Sequence, residues 1–255
     1  MSMDKSYIHL FNSVAEYEEA RKNNYYEPWV SYTEGIGGGL AYDKTEHEKL
    51  LEEPLTFKII SAGTIVWKAY DDADYMTTIE YSTDSGETWT SITAATDGTS
   101  FSVNAGDTVQ FRGNNATYYF NGIYNTFSGS TARFEVEGNI MSLIDSANFA
   151  TATTLASSDT FYSLFNHCTG LISAENLILP ATTLADGCYY GMFGGCTNLN
   201  YIKCLATDIS ASDCTSNWVY GVASSTGTFV KPSTADWSSK TGNDGIPSNW
   251  TVQDA

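Results

Sequence analysis

The feature that most constrains this chain is that part of its C-terminal half is written twice. Phe161-Tyr162-x-x-Phe165-x-x-Cys168-Thr169-x-Leu171 returns 28 residues later as Tyr189-Tyr190-x-x-Phe193-x-x-Cys196-Thr197-x-Leu199. Ala152-Thr153-Thr154-Leu155 likewise returns as Ala181-Thr182-Thr183-Leu184, and in weaker form as Ala206-Thr207-Asp208-Ile209. A period of 26–29 residues is too short to bury its own core, so the units must stack on one another. Tyr189, Met192 and Phe193 at i, i+3 and i+4, behind Asp186 as an N-cap, predict a short helix in each unit. Tyr201-Ile202-Lys203-Cys204-Leu205 predicts the strand that follows. So few units need covering at both ends. The segment before them can cover one end. Gly227–Lys231 and Gly245–Val252, with Trp218 and Trp237, can cover the other.

Upstream, residues 54–137 alternate apolar and polar between turn signals. Leu55, Phe57 and Ile59 read as one strand, Thr64–Ala69 as a second and Ile79–Ser82 as a third. Asp84-Ser85-Gly86-Glu87 then turns the chain into Thr88–Ile92. Phe101 with Val103, Thr108–Arg112 and Ala132–Val136 complete a set that fits an immunoglobulin-like β-sandwich. Residues 1–53 are too few and too polar to own a core. Ser13 and Glu16 form a capping box ahead of a helix over 17–22. Trp29–Thr33 reads as a strand, Gly35–Gly39 as a turn and Leu40–Tyr42 as its return, and 43–53 as a short helix or linker. Three parts are therefore expected: a docking segment over 1–53, a sandwich over 54–137, and a repeat domain with its cap over 138–255.

The charge balance removes several functions. Thirty acids against 12 bases give −18, which repels phosphate backbones and anionic lipids, so no nucleic acid and no membrane is expected as a partner. The opening MSMDKSYIHLF carries no basic and apolar export signal, and no stretch approaches 18 apolar residues. Cys168, Cys188, Cys196, Cys204 and Cys214 are odd in number and contain no CxxC pair. They read as buried free thiols rather than a disulfide framework or a zinc site.

Chemistry has few candidates. His9, His47 and His167 lie in separate segments away from any nucleophile–acid pattern, and no carboxylate pair stands out for glycan hydrolysis. Asp71, Asp72 and Asp74 have the oxygen density for Ca²⁺ but lack the glycine and glutamate of an EF-hand loop, so a solvated turn is the simpler reading. The Gly35–Gly39 run lacks the Lys-Ser/Thr of a phosphate loop. No cofactor is implied. Aromatics are the better signal. Tyr118, Tyr119 and Tyr124, in an Asn-rich stretch, either stack on sugar rings or seal the sandwich to the repeats. Phe11, Tyr17, Tyr25, Tyr26, Pro28, Trp29 and Tyr32, in a segment without its own core, are candidates for an anchoring interface.

FNHCTGL, LPATTLADGCYYGMFGGCTNL and TGTFVKP…GIPSNWTV resemble BspA-type leucine-rich repeats, found in surface and phage proteins of gut bacteria. IEYSTDSGETW, AGDTVQFRG and RFEVEGNIMSL resemble the Ig-like module that precedes such repeats. HLFNSVAEYEEARKNNYYEPWVSYTE and AYDK resemble a leader on virion proteins of crAss-like phages. The resemblance implies a mainly β chain with minor α, in which an Ig-like sandwich precedes a short α/β repeat solenoid. It also implies a non-enzymatic head fibre or capsid decoration protein on the capsid exterior, released by lysis rather than export. Its partners would be capsid or other virion proteins and a host surface glycan or protein. A homo-oligomer suits the role, and a trimer suits a fibre, although no heptads encode one. A bacterial BspA-type adhesin and a tail receptor-binding protein are the alternatives.

Overall fold

The computed structural model describes residues 8–11, 40–43, 45–70, 74–222 and 226–255. The chain is mainly β with little helix. Two strands come first, β1 (Ile8–Phe11) and β2 (Leu40–Asp43), paired antiparallel with Ile8 opposite Asp43. The return strand expected at Leu40 thus pairs with Ile8–Phe11. The helix over 17–22, the strand Trp29–Thr33 and the Gly35–Gly39 turn lie outside the described residues. Helix α1 (Glu46–Glu52) follows, and a capping box closes its first turn. Glu48 N–H donates to Thr45 Oγ1 at 3.2 Å, while Thr45 N–H donates to Glu48 Oε2 at 2.8 Å.

Strands β3 (Leu55–Ser61), β4 (Gly63–Tyr70), β5 (Thr78–Ser82), β6 (Thr90–Thr93), β7 (Thr99–Val103) and β8 (Thr108–Arg112) fall where alternation places them. On β4, Ile65, Trp67 and Ala69 are buried and their neighbours are not, the period-two signature of a strand with one face inward. Two further strands, β9 (Tyr119–Phe120) and β10 (Ile123–Thr126), occupy the Asn-rich stretch. Asn121 (φ 50°) and Gly122 (φ 93°) make the tight turn between them, a geometry that favours Asn-Gly. The β7-β4-β10-β9 sheet faces strands β3, β8 and β5 across a ring-filled layer. Phe57 stacks on Phe134 at 4.4 Å and meets Phe111 and Phe127, and Trp67 meets Phe127 at 4.8 Å. Tyr81 stacks on Phe101 at 4.0 Å.

Strand β11 (Arg133–Asn139) is the seam of the molecule. It pairs antiparallel with β3 on one side and parallel with β12 (Leu171–Ile178) on the other. Parallel pairing continues through β13 (Tyr201–Lys203), β14 (Gly227–Lys231) and β15 (Trp250–Asp254), one strand per coil. One sheet of nine strands, β15-β14-β13-β12-β11-β3-β8-β5-β6, therefore runs the length of the structure. The boundary read at 137/138 falls inside β11. Gly138 lets the backbone pass there: its φ is +78°, and a Cβ would strike the Pro54 carbonyl oxygen. Helix α1 packs on β11 and β12, and Asn139 Nδ2 donates to Leu51 O at 3.0 Å.

The coils contain no helix at Asp186–Phe193, which corrects the α/β reading of the repeat. The chain there is a run of linked turns, with positive φ at every fourth residue. These are Asp159, Ser163 and His167 in one coil, Gly187, Gly191 and Gly195 in the next, then Asp213, Asn217 and Gly221. Alternate N–H groups cross between coils, so Phe161, Ser163 and Phe165 donate to the carbonyls of Cys188, Tyr190 and Met192. Those between, such as Tyr162 and Leu164, turn back three residues within their own coil. The backbone donors from Phe161 to Thr169 and from Gly187 to Thr197 are thus all used without a helix. Asp186 caps no helix; its Oδ1 accepts from Ser212 N–H of the following coil at 2.8 Å. The middle coil uses glycine at its positive-φ sites because side chains of the preceding coil lean over them: a Cβ on Gly191 would lie 2.8 Å from Ser163 Oγ. Phe229 and Trp237, 5.0 Å apart, and Trp218 close the far end.

Candidate functional site

Three columns of rings run across the junction between the two-layer unit and the coils, each starting in the β9–β10 region. Tyr118, Phe161, Tyr189 and Trp218 follow one another at 6.4, 6.1 and 6.3 Å. Phe127, Phe165 and Phe193 are spaced 5.7 Å apart at both steps. Both columns are buried. The third, Tyr119, Tyr162 and Tyr190, is half-buried at the surface, with centroids 4.3 and 4.6 Å apart. Tyr124 meets Tyr162 at 5.7 Å and stacks on Tyr70 at 4.7 Å, which extends the surface line.

This geometry separates the tyrosines grouped from sequence. Tyr118 is a core residue, fully buried, with its hydroxyl donating to Leu143 O at 2.7 Å, so it offers nothing to a ligand. Tyr119 and Tyr124 keep exposed edges, but their faces are turned to other rings. The surface line presents hydroxyl edges and one open ring at its end, Tyr70, 46% exposed. Burial pushes the Tyr162 hydroxyl up to about 12, with Tyr190 and Tyr119 adding to it. Asp159 beside it is raised by burial and by Asp186.

The opposite surface is the outward face of the coil sheet. Two adjoining shallow grooves of about 410 Å³ each cross it and share Ser173, Glu175 and Asn200. One continues to Tyr201, Thr228 and Thr251, the other to Arg133 and Glu135. Sequence reading missed this site, because its residues come from separate coils and only the strand register brings them together. On α1, which packs on β11 and β12, His47 has its pKa lowered by burial and then by Lys203.

The remaining candidates are dispersed. Of the anchoring set, the backbone of Phe11 lies in β1, while Tyr17, Tyr25, Tyr26, Pro28, Trp29 and Tyr32 lie outside the described residues. Asp71 and Asp72 also lie outside them, and Asp74 is exposed. His167 is an exposed coil residue with φ 56°. All five cysteines are buried free thiols. Cys168 and Cys196 take the same place in successive units, their Sγ atoms donating to Phe127 O and Phe165 O at 3.0 Å each. Burial lifts the Cys204 thiol to about 12, which leaves it protonated and inert. Among the described residues no cluster of His, Cys, Asp or Glu is arranged to hold a metal, and no helix is long and apolar enough to cross a membrane. Comparison with protein-family models, with curated proteins and with solved structures finds no match to this chain.

Proposed function

We propose that this chain is a non-enzymatic virion protein, a head fibre or capsid decoration. In this reading an Ig-like sandwich and a short leucine-rich-repeat-like solenoid of BspA type are displayed from the capsid exterior. The N-terminal segment docks on capsid or other virion proteins, and the far sheet meets a host surface. The observation that carries the reading is the unbroken sheet from β6 to β15 with the ring columns running beside it. Two units that share a strand, with no linker between them, hold their faces at a fixed angle to each other. Many copies on one particle would then act together, since each tether raises the effective concentration of the next contact.

The test uses purified protein and phage heads stripped of their fibres. The informative truncation removes residues 1–44 and keeps α1, because α1 packs on β11 and β12. Full-length protein should sediment with the heads and the truncated chain should not. If neither sediments, or both do equally, the anchoring reading fails and a cell-surface adhesin becomes the better account.

A further inference from the structure

We propose that the outward face of the coil sheet binds a neutral, linear oligosaccharide along a row of side chains contributed one per strand. This gives the display reading its ligand and rests on that reading for its setting; the chemistry rests on strand register. Ala174 pairs with Ile202, and both are buried. Successive residues of a strand point to opposite faces, so Ser173 and Tyr201 face outward. Tyr201 pairs with Thr228, and Thr228 with Thr251. Glu135 lies opposite Ser173 on β11. The face thus carries Ser173, Tyr201, Thr228 and Thr251 as a lateral row of hydroxyls, stepping by the spacing between strands, about 4.8 Å. The adjoining grooves follow this row, with Glu175 and Asn200 at their shared centre.

The lining selects the class of ligand. A protein partner needs a dry apolar centre with aromatic or arginine anchors, and a hydrophobic small molecule needs an apolar pocket. Here Ser, Thr, Asn and Glu dominate, and Tyr201 is the single ring. A hydroxyl-dense ligand can exchange its bonds to water for bonds to these groups nearly one for one, while the Tyr201 ring gives a sugar an apolar surface to lie on. The hydroxyls of Tyr201, Thr228 and Thr251 make no hydrogen bond to another described residue. Glu135 and Glu175 outnumber Arg133, and the chain carries −18, so acidic glycans are repelled. The ligand is linear because an extended chain of rings lying across the strands meets one hydroxyl at each step.

Full-length protein would be titrated, by calorimetry and by NMR, with homo-oligomers of glucose, mannose, galactose and N-acetylglucosamine from disaccharide to hexasaccharide. Oligogalacturonate and oligolysine serve as the acidic sugar and the basic peptide. At least one neutral series should bind, tightening with length until the row is filled. Tyr201→Ala should weaken binding by about 10-fold or more. Thr228→Val and Thr251→Val, which remove one hydroxyl each, should weaken it by roughly 3- to 10-fold. Thr182→Val, exposed but off the row, should leave it unchanged. Thermal unfolding of each variant separates lost contact from lost fold. The proposal is overturned if no neutral oligomer binds, if the row variants bind as tightly as the parent, or if oligolysine alone binds. Loss of the sugar site with particle attachment intact would leave the display reading standing. Sugar binding without particle attachment would leave the site and remove the display reading.

Discussion

The two halves of this molecule build their cores by different rules. In the two-layer unit, rings from distant strands converge on one point at unlike angles: Phe57 of β3 is tilted 53° to Phe111 of β8, stacked on Phe134 of β11 and edge-on to Phe127 from the loop after β10. In the coils, like sits on like. Phe193 repeats Phe165, Tyr190 repeats Tyr162 and Cys196 repeats Cys168. A core of converging rings has hubs, whose loss is felt everywhere. A core of repeated parts has columns, whose damage stays with its neighbours, as expected of a quasi-one-dimensional stack.

The hub gives the sharpest way to break this contrast. Phe57→Ala should destabilise the protein by about 3–5 kcal/mol, the usual cost of emptying a buried phenylalanine site. Because Phe57 also reaches Phe165 at 6.1 Å, the coils should unfold in the same urea transition. Separate transitions for the two halves would show that the seam does not couple them. Next in size is Gly191→Ala. A left-handed alanine costs about 1–2 kcal/mol, and its Cβ also meets Ser163 Oγ. Faster hydrogen exchange should be confined to the coils, with β3, β8 and β11 still protected. Adding Ser163→Gly should recover part of the loss, a non-additivity expected of residues in contact. Global loss of protection would make this glycine a hub too.

The smallest effect is the one that depends on pH. Tyr162 has its folded pKa raised above the ordinary 10, so its contribution to stability is complete below pH 10. That contribution is lost as pH rises through 10 to about 12, because ionisation in the stacked line is resisted. Tyr162→Phe should therefore differ from the parent by about 0.5 kcal/mol or less at neutral pH. It should lose stability less steeply above pH 10, as read from urea midpoints across the alkaline range. Equal slopes would mean that the surface column does not feel its own hydroxyls.

The strands of the two-layer unit were legible because alternation is a direct record of facing: Ile65, Trp67 and Ala69 say which side is inward. The repeat was legible as a repeat, but its local shape was not. Tyr189, Met192 and Phe193 have the spacing of a helical stripe, and linked turns reproduce that spacing while their hydrogen bonds cross to the next coil. The discriminating signal lay in Gly187, Gly191 and Gly195, evenly spaced by four and poorly suited to any helix. Asn121-Gly122 was a readable hairpin signal between strands too short to show alternation. The hydroxyl row was not legible at all. Ser173, Tyr201, Thr228 and Thr251 become neighbours only through the register of β12 to β15, which depends on how the coils close rather than on any local pattern.

Strand β11 belongs at once to the last pairing of one unit and the first of the next. The structure therefore has no joint there, and nothing about the seam can swing. A surface touched by the far sheet is met at an angle fixed by backbone hydrogen bonds. Copies of this molecule with their two-layer units aligned would all hold out the same coil face at the same tilt. In that sense the seam works as a gauge: it carries the orientation of the two-layer unit out to the face of the coils.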